Sequence, residues 1–257
     1  RFIDTIGPMA RSVGDLALLH GAIAGRPAAA VPPPGQLRLG VAQVPFWQDL
    51  EDRVQQACSR ALGRLGEAGA TLVTLDVQNL AERAIALQRR LGAARRQHDL
   101  HAFLEEHQTG VALETVLGAI ASADVRDVYA LASPGAPEDG RWAAEFEALL
   151  AEYSDLLGRH GVQALVYPSS PVTAPLVRER GDRFDDEIEL NGRKVNTSAT
   201  TSRHARFAAG LGVPALSLPC GDPSGLPVGL ELSGLPGRDA QLLALGQSIE
   251  SALRAPH

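Results

Sequence analysis

The chain has 257 residues, enough for one large globular domain, and 45% of them are hydrophobic while 21% are charged. These fractions are typical of globular proteins, and a net charge of −6 argues against a nucleic-acid-binding surface. The chain has only two cysteines, and no apolar run reaches the roughly 18–20 residues that cross a bilayer. We therefore expect a cytoplasmic protein without a disulfide framework or a membrane span.

The first third of the chain alternates between helix and strand signals. Ser12 and Asp15 resemble a capping pair at a helix start. Apolar residues from Val54 to Leu65, including Cys58, recur at helical spacing, and Gly69 follows as a helix-ending glycine. The predicted elements are a helix over residues 12–24, a loop over 26–36, a strand over 37–44, a helix over 50–68 and a strand over 71–77.

The rest of the chain is mostly helical in its middle and has two neighbouring strands near its end. Asn191-Gly192 predicts a hairpin tip within the charged segment 176–196. The other predicted elements are helices over residues 79–107, 111–132, 142–159 and 202–210, a linker over 133–140, strands over 162–167, 215–218 and 228–233, and a last helix from Asp239. This order predicts an α/β fold with a mixed sheet covered by helices.

Cys220 is a candidate nucleophile, since it lies between Pro219 and Gly221 at a strand end. A catalytic thiol needs a base and a setting that lowers its pKa, and the nearest histidine in the sequence is His204. The alternative interpretation, a small packing residue at a strand end, fits the surrounding apolar residues better.

Ser169 and Ser170 directly follow a predicted strand, at the position where ligands gather in open α/β sheets. They lack the G-x-S-x-G elbow that exposes a nucleophilic serine. We therefore interpret them as residues that line a site or, alternatively, as a turn whose hydroxyls satisfy backbone groups.

The remaining polar motifs do not predict a reactive centre. His98, His101 and His107 lie in a charged helical segment, which is more often a solvated face than a metal site. The only lysine, Lys194, lies in a polar tip, whereas a lysine base needs a desolvated position. The residues alone therefore indicate an enzyme-like scaffold without a catalytic set of its own.

Three blocks of the sequence resemble the amidase signature family of hydrolases. Residues 4–19 read DTIGPMARSVGDLALL, similar to the segment that follows the family's catalytic core. Residues 167–175 read YPSSPVTAP, similar to a pocket-lining loop. Residues 207–250 read FAAGLGVPALSLPCGDPSGLPVGLELSGLPGRDAQLLALGQSIE, similar to the family's closing module.

The resemblance implies the C-terminal half of the amidase signature fold, in which helices cover a mixed sheet on both faces. It also implies a single domain over residues 1–257, with the family's variable helical region over residues 78–160. Because the chain begins without an initiator Met, inside a predicted turn, we expect it to be a piece of a longer protein.

The family hydrolyses amides with a serine nucleophile, a second serine in a cis peptide that relays the proton, and a lysine base. Those residues lie in motifs upstream of the DTIGPMAR block, and neither motif occurs in this sequence. The resemblance therefore implies no catalytic residue in this chain, no metal and no cofactor. It also implies that Cys220 is a packing residue.

The resemblance implies that this chain forms part of the wall of a substrate pocket. His204 would either hydrogen-bond substrate or be a structural histidine. The candidate substrate-binding residues are Ser169, Ser170, Thr173, Thr197 and His204, with Pro168, Ser198 and Thr201 beside them. The implied partners are the N-terminal half of the amidase, or a chain that supplies it, and a small amide substrate. A homodimer is a further arrangement common in the family, and neither nucleic acid nor a membrane is expected.

Three alternatives stay open. The first is a non-catalytic relative that binds or stabilises a partner. The second is the family's transfer-RNA-dependent amidotransferase subunit, although the acidic charge favours the stand-alone amidases. The third, the least supported, is an independent hydrolase that uses Cys220 or Ser170 with His204.

Overall fold

The computed structural model describes residues 5, 7–121, 125, 126, 129, 141–176, 187–221 and 225–254. Its strands are β1 (Arg38–Val44), β2 (Thr71–Asp76), β3 (Ala164–Pro168), β4 (Glu187–Leu190), β5 (Arg193–Asn196), β6 (Ala215–Pro219) and β7 (Gly229–Ser233). Its helices are α1 (Val13–Ala24), α2 (Asp52–Glu67), α3 (Gln78–Glu106), α4 (Leu113–Ala119), α5 (Arg141–His160), α6 (Thr197–Thr201), α7 (Ala205–Leu211) and α8 (Asp239–Arg254).

A five-stranded mixed sheet lies at the centre, with the order β2–β1–β3–β7–β6. Strand β1 runs parallel to β2 and to β3, and β7 runs antiparallel to β3 and to β6. Parallel pairs need a crossover connection, and the described helices α2, α3, α4 and α5 lie in the connections between β1 and β3, whereas antiparallel neighbours need none. The predicted mixed sheet is therefore confirmed.

Helices cover both faces of this sheet. One face packs against α1, α2 and α8 through a core that includes Leu39, Val166, Leu216 and Leu232. The other face packs against α3, α5 and α7 through a second core. We call these the first and the second core. The sheet separates them because successive strand residues point to opposite faces.

Alternation along the strands assigns residues to the two faces. In β6, Leu216 and Leu218 are buried in the first core, while Ser217 between them is exposed. In β7, Leu230 and Leu232 face the same core, and Glu231 therefore points to the opposite side. The alternation thus places Ser217 and Glu231 on the same face of β6 and β7.

Local signals explain several element boundaries. Ser12 caps α1, because its Oγ accepts a hydrogen bond from the Asp15 N–H at 3.1 Å and donates one to the Asp15 carboxylate at 2.8 Å. Gly69 follows α2 with φ +95°, a conformation that favours glycine.

The predicted hairpin in the charged segment is confirmed as the pair β4–β5, with Asn191 and Gly192 at its tip. Both tip residues have positive φ, 51° and 74°, as a two-residue hairpin turn of the Asn-Gly type requires. The Asn191 side chain donates a hydrogen bond to the Leu50 carbonyl at 3.1 Å, and Arg193 forms an ion pair with Asp49. These contacts tie the hairpin to the segment between β1 and α2.

The structure differs from the predicted helix over residues 202–210. That helix begins only at Ala205, and a separate short helix, α6, precedes it. The cause is Asn196, whose Oδ1 accepts a hydrogen bond from the Ala199 N–H at 2.7 Å and starts α6. The linker predicted over residues 133–140 lies outside the described residues, as does most of the segment after α4. None of the described helices is long and apolar enough to cross a membrane.

Helix α7 lies so close to α3 that its Gly210 leaves no room for a side chain. A Cβ built there would lie 2.4 Å from the Ala84 carbonyl oxygen, which is backbone and cannot turn away. We expect Gly210→Ala to lower the free energy of unfolding by about 3 kcal/mol, because the two helices must separate. Denaturant unfolding followed by circular dichroism measures this change.

The matched control is Gly63→Ala in α2, where the added Cβ would have no atom within 4 Å beyond its chain neighbours and the backbone of its own helix. Alanine is the better helix former, so this variant should gain about 0.5–1 kcal/mol. Equal stability of the two variants would contradict the close approach of α7 to α3.

Candidate functional site

The carboxyl end of β3 is the point where most of the predicted site residues meet. The Pro168 carbonyl, at the end of the strand, accepts a hydrogen bond from His204 Nδ1 at 2.7 Å. Phe46, which follows β1, stacks on Tyr167 with the ring centroids 4.2 Å apart and meets the His204 ring edge-on at 5.1 Å. His204 is therefore held between the strand end and an aromatic cluster.

The environment of His204 decides its protonation state. The side chain is 1% exposed, and burial lowers the pKa of His204 to about 4, so the ring is neutral at pH 7. A carbonyl oxygen can only accept, so Nδ1 carries the proton and Nε2 carries the lone pair. No described group bonds to Nε2, which leaves a buried acceptor at the end of β3.

Ser169 and Ser217 form a hydroxyl pair over Gly229. Their Oγ atoms are 2.6 Å apart, and a Cβ built on Gly229 would lie 2.7 Å from each of them. The Ser169 N–H donates to the Gly229 carbonyl at 2.9 Å, which extends the β3–β7 pairing by one residue. Only glycine at position 229 lets the two hydroxyls meet.

A buried carboxyl group lies on the same face of the sheet. Glu231 stands opposite both Tyr167 and Ser217 in the strand register and is 7% exposed. The Tyr167 hydroxyl donates to Glu231 Oε1 at 3.0 Å and lies 2.6 Å from Ser233 Oγ. Burial raises the pKa of Glu231 to about 7, although the tyrosine hydrogen bond opposes this.

Thr173 and Ser170 make contacts that hold the loop after β3. The Thr173 N–H and its hydroxyl both donate to Glu51 Oε2 at 2.8 Å, and the Glu51 N–H donates to the Pro171 carbonyl at 2.8 Å. Ser170 Oγ accepts a hydrogen bond from the Val172 N–H at 3.3 Å. Hydrogen bonds to Glu51 therefore connect this part of the loop to the start of α2.

Thr197 is set apart from the other predicted residues. It is the first residue of α6, and its buried Oγ1 has no partner among the described groups. Its carbonyl accepts a hydrogen bond from the Thr201 hydroxyl at 2.9 Å. The described contacts thus place His204 at the Pro168 carbonyl and Ser169 at Gly229, both at the end of β3, but they do not join Thr197 to either residue.

The sequence analysis missed Ser217, Glu231 and Glu51. Ser217 and Glu231 each lie between two leucines, in two neighbouring predicted strands. This alternation could have indicated that both polar side chains lie on the same face of the sheet. Glu51 gave no signal, because its partner Thr173 is 122 residues away.

The other candidates behave as ordinary side chains. His98 lies 3.1 Å from Asp99 and His101 lies 3.6 Å from Glu105, all on the exposed side of α3. Among the described residues, no three His, Cys, Asp or Glu side chains converge on a point that could hold a metal. Cys220 packs against the first core, whereas His204 contacts Phe46 in the second core, so the two do not form a catalytic pair.

A cavity of about 530 Å³ opens elsewhere, between the start of α3 and α5. None of the predicted site residues lines it. Its lining residues are Asp76, Val77, Gln78, Asn79, Leu80, Glu82, Glu152, Leu156 and Arg159.

Comparison with known proteins places the chain in a family. The Amidase family model matches residues 1–243. A mandelamide hydrolase from Pseudomonas putida is 30% identical over an alignment of 266 residues, gaps included, which covers 97% of this chain and 50% of the hydrolase. An indoleacetamide hydrolase from Agrobacterium vitis is 30% identical over 262 residues, covering 97% of this chain and 54% of that enzyme.

A solved structure supports the same assignment. The crystal structure of an amidase superposes with a TM-score of 0.68 at 28% identity, covering 95% of this chain and 52% of that one. The chain belongs to the amidase family, and it spans about half the length of the curated relatives that it matches.

The buried Glu231 gives a prediction for stability against pH. Its pKa is about 7 in the fold and about 4.5 when exposed, so folding keeps it protonated between these values. The free energy of unfolding that Glu231 contributes is fully present below pH 4.5 and falls by on the order of 3 kcal/mol as the pH rises to 7. Glu231→Gln cannot ionise, so its stability lacks this fall with pH, and its side-chain oxygen can still accept a hydrogen bond from Tyr167.

We therefore expect the melting temperature of Glu231→Gln, relative to the wild type, to rise between pH 4.5 and pH 7 and to stay constant above that. Thermal denaturation in a pH series measures the difference. Glu147→Gln, which removes an exposed carboxylate from α5, controls for the lost charge. A difference for Glu231→Gln that does not change with pH would contradict the buried, protonated carboxyl group.

Proposed function

We propose that this chain is the C-terminal part of an amide hydrolase that converts a small carboxylic amide to the acid and ammonia. The observation that carries the proposal is the similarity, over 97% of the chain, to a mandelamide hydrolase and an indoleacetamide hydrolase. Both names describe primary amides with an aromatic ring one carbon from the carboxamide. Amides of that shape are accordingly the proposed substrate class.

In this proposal, the serine nucleophile, the second serine and the lysine base come from a segment outside these 257 residues. The one lysine of the chain supports this, because the Lys194 side chain is 81% exposed and pairs with Glu187 at 3.7 Å on the β4–β5 hairpin. A lysine base needs a desolvated position, and this exposed side chain does not occupy one. The proposed reaction is attack of the serine on the amide carbonyl, departure of ammonia and hydrolysis of the acyl-enzyme by water.

The contribution of this chain is the wall at the end of β3. A primary amide offers N–H donors and a carbonyl acceptor. His204 is a proposed acceptor through its neutral Nε2, which bonds to no described group, but the atom is buried, so the residues around it must move before a substrate reaches it. The hydroxyl pair of Ser169 and Ser217 can donate or accept. Ser170, Thr173 and Thr197 remain proposed neighbours of the substrate; the first two are positioned by the loop that Glu51 fastens.

Two uncovered surfaces are the proposed contact with the missing segment. On α1, Leu18 is 75% exposed and Ile23 is 69% exposed, whereas Val13 of the same helix enters the first core. Strand β6 is the edge strand of the sheet, no described strand pairs with its outer side, and Ser217 on this strand is exposed. A preceding half of the protein, or a partner chain that supplies it, would cover these surfaces.

Native mass spectrometry tests the partner. We expect the 27.1 kDa chain to occur with a second polypeptide of similar size, and that complex to release ammonia from mandelamide and indole-3-acetamide. The isolated chain should release none. A homodimer of this chain alone, with no second polypeptide, would contradict the proposed partner. Hydrolysis by the chain alone would contradict the missing catalytic group.

Ser169→Ala tests the pocket wall in the active complex. Loss of one neutral hydrogen bond to substrate contributes about 1 kcal/mol, so KM should rise about fivefold. Stability should change little, since Ser217 is exposed and can bond to water instead. The control Ser59→Ala removes an exposed hydroxyl from α2. Equal KM values for both variants would remove Ser169 from the proposed wall.

A further inference from the structure

The only two cysteines of the chain meet across the first core. Cys58 on α2 and Cys220 after β6 are 162 positions apart in sequence, yet their Sγ atoms lie 3.7 Å apart. Cys58 is fully buried, whereas Cys220 is partly exposed. Cys220 is therefore the more exposed member of the pair, and Cys58 is the enclosed one.

The surroundings make the two thiols chemically unequal. The side-chain contact with Cys58 lowers the pKa of Cys220, burial opposes this, and the charge of Arg60 lowers it further. The same contact and burial raise the pKa of Cys58. Cys220, the more exposed cysteine, is thus the one that ionises first, as the attacking member of a dithiol requires.

We propose that Cys58 and Cys220 form a redox site that a low-molecular-weight disulfide, such as oxidised glutathione, converts into an intramolecular disulfide. The Cys220 thiolate attacks one sulfur of the small disulfide, forms a mixed disulfide and releases one small thiolate. Cys58 then loses its proton and attacks the Cys220 sulfur, and the second small thiolate leaves. The two protein thiols are oxidised, and the small disulfide is reduced to two thiols.

The step requires only a local movement. A disulfide bond is about 2.0 Å long, so the sulfurs must approach by less than 2 Å. The contact that changes is the weak hydrogen bond from Cys58 Sγ to the Gly229 carbonyl at 3.7 Å. Cys220 itself is placed by its N–H, which donates to the Val228 carbonyl at 2.9 Å.

Gly229 connects this redox site to the candidate substrate wall. Its carbonyl accepts both from Cys58 and from the Ser169 N–H, while the Ser169 and Ser217 hydroxyls lie on the other side of the same residue. Oxidation pulls the cysteines together and releases the Gly229 carbonyl from Cys58. The redox state of the pair therefore acts on the residue over which the two serine hydroxyls meet.

The test is incubation of the purified, folded protein with oxidised glutathione, followed by intact-mass measurement and peptide mapping. We expect the mass to fall by two hydrogen atoms, with Cys58 and Cys220 joined and no glutathione retained. Dithiothreitol should restore both thiols. Phenylarsine oxide, which bridges two neighbouring thiols, should bind the reduced protein once and block the oxidation.

Two single variants check the order of the steps. Cys58→Ser should stop at the mixed disulfide, with one glutathione on Cys220. Cys220→Ser should stay unmodified, because Cys58 is buried. Circular dichroism confirms that each variant is folded.

The wild-type result is decisive even if a variant fails to fold. Retention of glutathione on Cys220 in the wild type would overturn the proposal. Two thiols that stay free in the folded protein and react only in denaturant would also overturn it, and would leave the cysteines as packing residues. Because no amide is hydrolysed in this test, its outcome is independent of the proposed function.

Discussion

Burial of β3 on both faces is the constraint on which the candidate site depends. Every residue from Ala164 to Pro168 is buried, and the strand is paired with β1 on one side and with β7 on the other. The Pro168 carbonyl and the Ser169 N–H therefore have fixed directions, and they hold His204 and Gly229 respectively. Groups supported by a central strand are placed more precisely than groups on a free loop.

The second face of β7 carries a polar network inside an otherwise apolar layer. Glu231 and Ser233 both bond to the Tyr167 hydroxyl, and the Tyr153 hydroxyl donates to the Ser233 carbonyl at 2.8 Å. A buried carboxyl group is tolerated when it is neutral and hydrogen-bonded, which agrees with its raised pKa. The network links α5 to β3 and β7, so the helical layer and the site share one set of contacts.

The first face is apolar, and it contributes through α2 and the cysteines. Cys58 lies among the residues that pack α2 on the sheet, and Gly229 contacts both Cys58 and the serine pair. The two layers thus share a contact residue at the start of β7.

The sequence by itself determined the order and type of most elements, because hydrophobic periodicity and turn residues such as Asn191-Gly192 are local. It also gave the family, through motifs that are contiguous in the chain. Tertiary structure alone decided which groups meet: Ser169 with Ser217, His204 with the Pro168 carbonyl, and Cys58 with Cys220. Those partners are 36 to 162 residues apart, and a local pattern carries no information on pairings that depend on strand order and register.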